Sequence, residues 1–378
     1  MSTLQKLVLV EWTLLACILL AAASYAGSEV VTFYAVQPLG PRLPLPQPTL
    51  VDDAAPPSAA TAAPGLAASG DAIEIEPDMP APICGGPSVM HLLAVGSDAR
   101  SDSYNYGLAD IIRVVRLDFS SPRVSILEMP RDLWVEIPDI SDDIGQDHEK
   151  LNQAYLYGNP GFGYFDDPSA GPGLLGKTLA VNFDLATDRY MAVNMRTFEK
   201  IVDAVDGIDI TLAESIDGRT DDDRSSRLVF KAGSHHLSGT EALTLARIRN
   251  EGVFARASNQ DLVLCALRDR LASPDVVGRA PELIGSFADN VQTDLSPAEL
   301  GQMACLGSRL QKGDIVFAEF PEELFTQGRV YDPVFKKRLF VWETDFDVLR
   351  GYVRRFQAGT WPTLAEAGPD GDAGFSCP

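Results

Sequence analysis

Leu92-Leu93-Ala94-Val95-Gly96-Ser97-Asp98-Ala99-Arg100 is the stretch on which the fold reading turns. Four apolar residues lead through a glycine and a serine to an aspartate and an arginine. A run this apolar reads as a buried strand, so the charged groups after it are held rigidly at a rim. The pattern recurs twice. Val124–Leu127 leads into Met129-Pro130-Arg131-Asp132, and Ala242–Ala246 leads into Arg247-Ile248-Arg249, with Arg256 just beyond. All three are read as places where a strand ends. In open α/β sheets the crevice beyond the strand C-termini is the usual ligand site. Arginine forks grip phosphate oxygens in pairs, and carboxylates hold a Mg²⁺ ion that bridges such oxygens. A pyrophosphate suits that combination best.

Working outward, Val89–Val95, Asp110–Asp118 and Arg123–Met129 are strand candidates, the last two joined by the turn Ser120-Ser121-Pro122. Pro130 stops the third strand by removing its donor. Gly171–Val181 reads as a helix. Short strands at Tyr190–Val193 and Ile208–Leu212 flank a helix at Met195–Val205. Ser238-Gly239-Thr240-Glu241 is a capping box that opens another helix. If that helix continues, Arg247 and Arg249 point to different sides of it, and both reach one ligand only if it ends there. Leu264, Leu267 and Leu271 repeat at helical spacing. A helix after Pro297, a strand at Ile315–Phe320 and a helix near Phe346–Phe356 complete the series. Strands alternating with helices predict a sheet covered on both faces.

Composition narrows the function. The chain has 378 residues and a formal charge of -22, which excludes nucleic acid as a partner, since that requires a basic face. Of its 31 basic residues, 23 are arginine and 8 lysine, a bias that suits planar anion recognition. The five cysteines lack zinc-ligand spacing, and the four histidines are scattered.

Leu7–Ala26 is almost wholly apolar and long enough to span a bilayer. It reads either as an uncleaved anchor with its N-terminus in the cytoplasm or as a signal peptide cut after Ala26. The length of the run favours the anchor. Both place the remainder outside the cytoplasm, where Cys84, Cys265, Cys305 and Cys377 can form one or two disulfides. Cys265 and Cys305 sit in helical patterns, where they either pair or act as small buried hydrophobes. The Pro- and Ala-rich stretch from about Gln37 to Pro82 reads as an extended spacer. The resulting division is an anchor over residues 1–27, a linker over 28–86, a folded domain over 87–358 and a disordered tail over 359–378.

The motifs also carry a family resemblance. His91–Arg100 resembles the opening strand and G-x-D-x-R loop of the LytR-CpsA-Psr proteins of the bacterial cell envelope, and Ala109-Asp110 stands where they have R-S-D. Ser125–Asp132 resembles their I-P-R-D block. Lys150–Tyr155 is similar to their K-I-N-A-A-Y block, and Val202–Asp209 to their valine, glycine and aspartate run. Leu237–Leu243 and Ala246–Arg249 resemble the H-L-x-G-x-x-A-L and V-R-x-R blocks. So many motifs in the right order over half the chain are specific.

The resemblance implies an α-β-α sandwich around a central mixed sheet. It also implies a phosphotransferase that moves a glycopolymer from a polyprenyl-pyrophosphate carrier onto peptidoglycan, with Mg²⁺ as cofactor and an apolar pocket for the lipid tail. On that reading Asp98 and Asp110 hold the metal, and one of them accepts the proton of the incoming hydroxyl. Asp98, Asp110, Arg131 and Arg249 form the catalytic set. Arg100, Arg131, Arg247, Arg249, Arg256 and Lys150 hold the pyrophosphate, with Asp132 in support. The alternative is a catalytically weak polyprenyl-phosphate-binding module that scaffolds envelope assembly. Two departures favour it: Leu108 replaces the arginine of R-S-D, and Val253 stands where an acidic residue is expected. The R-Q-Q block becomes Ser258-Asn259-Gln260. Arg113 is a candidate replacement for the lost charge, but strand alternation places it on the face opposite Asp110.

Overall fold

The computed structural model describes residues 35–44, 81–99, 104–248, 253–271, 273–277, 290–333, 336–363 and 374–376. Fifteen strands are described. They are β1 (Val89–Ser97), β2 (Ala109–Asp118), β3 (Arg123–Glu128), β4 (Trp134–Glu136), β5 (His148–Lys150), β6 (Arg189–Asn194), β7 (Ile208–Leu212), β8 (Ile216–Asp217), β9 (Val229–Phe230), β10 (Gly233–Leu237), β11 (Gln292–Thr293), β12 (Ile315–Ala318), β13 (Phe325–Asp332), β14 (Lys337–Thr344) and β15 (Gly374–Ser376). The longer helices are α1 (Leu151–Gly158), α2 (Ala170–Phe183), α3 (Met195–Ala204), α4 (Gly239–Ala246), α5 (Val253–Leu271), α6 (Pro297–Arg309) and α7 (Phe346–Gln357).

Seven strands form one mixed sheet in the order β11-β6-β1-β2-β3-β12-β15. β6 lies parallel to β1 and β12 parallel to β3, while β1-β2 and β2-β3 are antiparallel. Alternation along the central strands feeds two cores. Leu93, Val95, Ile112 and Val114 join Leu174 and Leu179 of α2 and Leu349 and Val353 of α7 on one face. Met90, Leu92 and Leu117 join Cys265 of α5 and Leu306 of α6 on the other. This is the α-β-α arrangement the sequence predicts. A third core packs α3, α4 and α5 on the β7-β10 pair.

Two of the motifs build this third core. Gly207 has φ +77° at the turn between α3 and β7, where a Cβ would meet His236 Nε2 at 2.7 Å and Leu237 O at 2.8 Å. A side chain there would be strained twice over. Asp203 accepts a hydrogen bond from the Gly239 amide at 2.7 Å, which ties the valine-aspartate motif to the capping box. The Ser238 and Glu241 side chains each accept from the other's backbone amide, as predicted.

Several features depart from the sequence reading. The run Ala242–Ala246 is helical, so the arginines after it follow a helix and not a strand. The hairpin β13-β14 carries no strand signal in the sequence, because its largely exposed strands lack a clean apolar alternation. Cys305 bonds to Cys84 rather than to Cys265, joining the entry to β1 onto α6. Cys265 is also disulfide-bonded. Within the stretch read as a spacer, residues 35–44 lie on the domain: Leu39 N donates to Leu295 O at 3.0 Å, Tyr190 Oη donates to Pro41 O at 3.0 Å, and Leu43 is buried. Within the stretch read as a tail, β15 pairs with β12, and Trp361 is buried against Phe320 and Tyr352. No helix among the described residues is long and apolar enough to cross a membrane, and the predicted anchor lies outside those residues.

Candidate functional site

Asp98 sits just beyond β1, where its carboxylate accepts the Leu108 amide at 2.6 Å and its own amide donates to Leu108 O at 3.0 Å. These two bonds close the loop between β1 and β2 and fix where β2 begins. The pairing then slips. Gly96 faces Ile111 but Ser97 faces Ala109, so Asp110 is the extra residue of a β-bulge. A bulge re-aims side chains. Ala109 and Ile112 enter the core shared with α1 and α2, while Asp110, Ile111 and Arg113 turn to the other face. Strict alternation places Arg113 opposite Asp110, and the bulge overturns that: both line one cavity. Asp-Ile-Ile-Arg reads as an unbroken strand, so no sequence signal marked the slip.

The cavity has a volume of about 200 Å³ and is almost wholly apolar. It lies between the sheet and helices α3, α4 and α5. Val193, Phe198, Leu243 and Val263 supply its walls, and Ser97, Asp110, Asn194 and Arg247 mark its rim. Asn194 is held there as the N-cap of α3, accepting the Thr197 amide at 2.8 Å. Arg247 caps the end of α4, so the helix stops where the two-arginine reading required.

A ladder of ion pairs stands behind the rim. Arg131 binds Asp110 through Nη1 and Asp132 through Nε at 3.2 Å, and Lys150 Nζ reaches the other oxygen of Asp132 at 2.6 Å. The K-L-N motif explains how the ladder is built. Leu151 N donates to Leu133 O at 2.9 Å and Asn152 N to Arg131 O at 3.0 Å, so the start of α1 clamps the Pro130–Leu133 loop. Glu149, one residue before Lys150, is fully buried. Burial and the neighbouring Asp332 carboxylate push its carboxyl up to about 7.

Arg113, Gln260 and Asp261 are the further polar residues of the site. Arg113 is buried. Its Nη1 donates to Asp261 at 2.5 Å, and its Nη2 donates to Glu128 at 2.7 Å and to Gln260 Oε1 at 3.4 Å. Although burial opposes its charge, Glu128 and Asp261 hold its pKa above the ordinary arginine value. One guanidinium serves more than one acid here. Burial foremost, and then Glu128, push the Asp261 carboxyl up to about 7 against the pull of Arg113. Burial and Glu128 likewise raise Glu319.

Of the residues predicted from sequence, Asp110 and Arg247 line the cavity rim, Arg131, Asp132 and Lys150 form the ladder behind it, and Asp98 is bonded to the Leu108 backbone at the end of β1. Arg100 and Arg249 lie outside the described residues. Arg256 is in the first turn of α5, with its side chain outside the description. Among the described residues no cluster of three or more acidic, His or Cys side chains is arranged as a complete metal site. Mg²⁺ commonly takes one or two carboxylates and fills its shell with water and substrate phosphates. The hard oxygens of Asp98 and Asp110 fit that chemistry.

Residues 86–341 match the model of the LytR_cpsA_psr family. Among curated proteins, the chain is 28% identical over 211 residues to the polyisoprenyl-teichoic acid–peptidoglycan teichoic acid transferase TagV of Bacillus subtilis, covering 55% of this chain and 50% of that one. It is 28% identical over 214 residues to the corresponding transferase TagU of Oceanobacillus iheyensis, covering 56% and 60%. The chain thus spans about half to three-fifths of the length of these relatives. The crystal structure of B. subtilis TagV superposes with a TM-score of 0.54 at 23% identity, over 72% of this chain and 98% of that one. A structure of TagT bound to LIIa-WTA superposes with a TM-score of 0.52 at 20% identity, over 72% and 90%. The structural likeness concerns the fold.

Proposed function

The chain belongs to the LytR-CpsA-Psr family, and from that premise we propose that it transfers a glycopolymer from a polyprenyl-pyrophosphate carrier to peptidoglycan outside the cytoplasm. The observation that carries this reading is the juxtaposition of a charged rim, Asp110 and Arg247 with Arg131 paired to Asp110 behind it, with the mouth of an apolar cavity. A phosphorylated lipid has that same division between head and tail. The relatives TagV and TagU are teichoic acid–peptidoglycan transferases, which supports it.

The reaction breaks a phosphoanhydride. An acceptor hydroxyl oxygen attacks the phosphorus attached to the glycan, the bond to the bridging oxygen breaks, and polyprenyl phosphate leaves with that electron pair. Little covalent chemistry is asked of the protein; positioning and charge neutralisation dominate. Arg131 and Arg247, with Arg100, Arg249 and Arg256, hold the phosphate oxygens. Asp98 or Asp110 receives the hydroxyl proton. Asp98 and Asp110 would hold a Mg²⁺ ion, which neutralises charge on the bridging phosphates when bound. The Lys150–Asp132 pair keeps the Arg131 fork aimed at the rim.

The test is release of polyprenyl phosphate from polyprenyl-pyrophosphate-linked glycan by the purified chain with Mg²⁺, against an Asp110→Ala control. Release at the control's rate sinks the reading. A second reading, a lipid-binding module without turnover, is favoured by one observation: Leu108 packs against the core at the position where the family has an arginine. It predicts lipid retained on the purified protein and no release.

A further inference from the structure

The cavity lining stops at one row of the sheet. Ala94 on β1 faces Arg113 on β2 and Met191 on β6, and these three are the innermost strand residues in the lining. The next residues inward on that face, Leu92 and Val115, belong to packed core. From the rim at Ser97 and Asp110 to this row is three residues along each strand, about 10 Å at the usual rise. Arg113 differs in kind from the other two members. Its side chain is 4% exposed and bonds Asp261 at 2.5 Å and Glu128 at 2.7 Å. Its guanidinium carbon lies 5.6 Å from the centre of the Phe317 ring. A methionine here could swing aside for an incoming chain. An arginine tied to two carboxylates cannot, because moving it would leave buried charges unpaired.

Taking the cavity as the seat of the lipid tail, as proposed above, we infer that Arg113, locked by Asp261 and Glu128, is the floor of that cavity and sets how much of an isoprenoid tail this protein holds. The first isoprene units after the pyrophosphate fit above the row; the rest stays outside. Arg113 is thus a specificity-determining residue that acts through shape and a fixed ion pair, and it is not part of the phosphate grip.

The experiment measures affinity of the full chain for dimethylallyl, geranyl, farnesyl and undecaprenyl pyrophosphate in one detergent. In the wild type, lengthening from dimethylallyl to geranyl tightens binding by about tenfold or more, since each added methylene is buried, and further lengthening adds nothing. Replacing both partners, Arg113→Ala with Asp261→Ala, opens the floor and moves the break to farnesyl. Ala94→Leu raises the floor and removes the gain at geranyl, so it decides the matter if the double variant fails to fold. Affinity that keeps rising to undecaprenyl in the wild type overturns the inference, as does an unmoved break in a folded variant. Failure to bind any of the four overturns the phosphorylated-lipid reading itself, and the floor with it.

Discussion

Two arginines of this molecule stand on opposite levels of one cavity and live by different rules. Arg131 at the mouth is 21% exposed and shares Asp110 and Asp132; Arg113 at the floor is 4% exposed and shares Asp261 and Glu128. Both are held by a carboxylate on each side. At the mouth, water screens the pairs and a substrate phosphate can compete for the fork. At the floor, Arg113 and Asp261 are both out of water, so each makes the other indispensable, because an unpaired buried charge costs far more than the pair returns. The contrast teaches that an arginine-carboxylate motif says nothing of its job until its depth is known.

The sharpest way to break the comparison is to remove the floor cation alone. Arg113→Met strands Asp261 and Glu128, and urea unfolding is expected to show a loss of about 3–5 kcal/mol, which Arg113→Met combined with Asp261→Leu largely restores. A single-variant loss below about 1 kcal/mol would mean that depth does not separate the two arginines. At the mouth the effect moves to activity. Arg131→Ala is expected to lower glycopolymer transfer by about two to three decades, with unfolding free energy changed by about 1 kcal/mol or less. An equal loss of stability would place Arg131 with the floor.

The layer behind the mouth offers a pH test. Glu149 is fully buried, and its carboxyl is raised to about 7 by burial and by Asp332. A raised acid binds a proton in the folded chain that it has lost in the unfolded one. Stability is therefore greatest below the unfolded value and declines as pH rises to the folded one, a window of about 4.5 to 7. Glu149→Gln should flatten that decline, gaining about 1–3 kcal/mol at pH 8 relative to wild type and little at pH 4. Parallel pH curves for the two proteins would discount the buried acid. The smallest effect is expected from Lys150→Met. Asp132 keeps Arg131 as a partner, so thermal unfolding should report a loss of about 1 kcal/mol or less.

Much of this organisation was legible in the chain. Leu92–Val95 is a strand because its continuous apolar run suits a buried strand, and Val124–Leu127 is one with a single serine in its run. Pro130 ends the second run by having no amide to donate. Ser238 and Glu241 open α4 by the mutual bonds their spacing predicts. The convergence of Asp110 and Arg131 was legible too, through motifs at the ends of neighbouring strands. The Cys84–Cys305 bond was not, since sequence carries no distance between residues 221 apart. Nor was the β13-β14 hairpin, whose half-exposed faces blur the period that announces a strand.

The sequence by itself determined the central strands β1 to β3, the capped start of α4 and the charged groups beside them, because propensity, capping and hydrophobic period are local properties of a chain. The tertiary structure alone decided which face Arg113 occupies. One extra residue at Asp110 resets the pleat, and the hydrogen-bond register between β1 and β2 that creates it belongs to two strands at once. It decided also that Arg113 is buried between two acids while Arg131 meets solvent, since depth comes from everything packed around a residue and is written in no single segment.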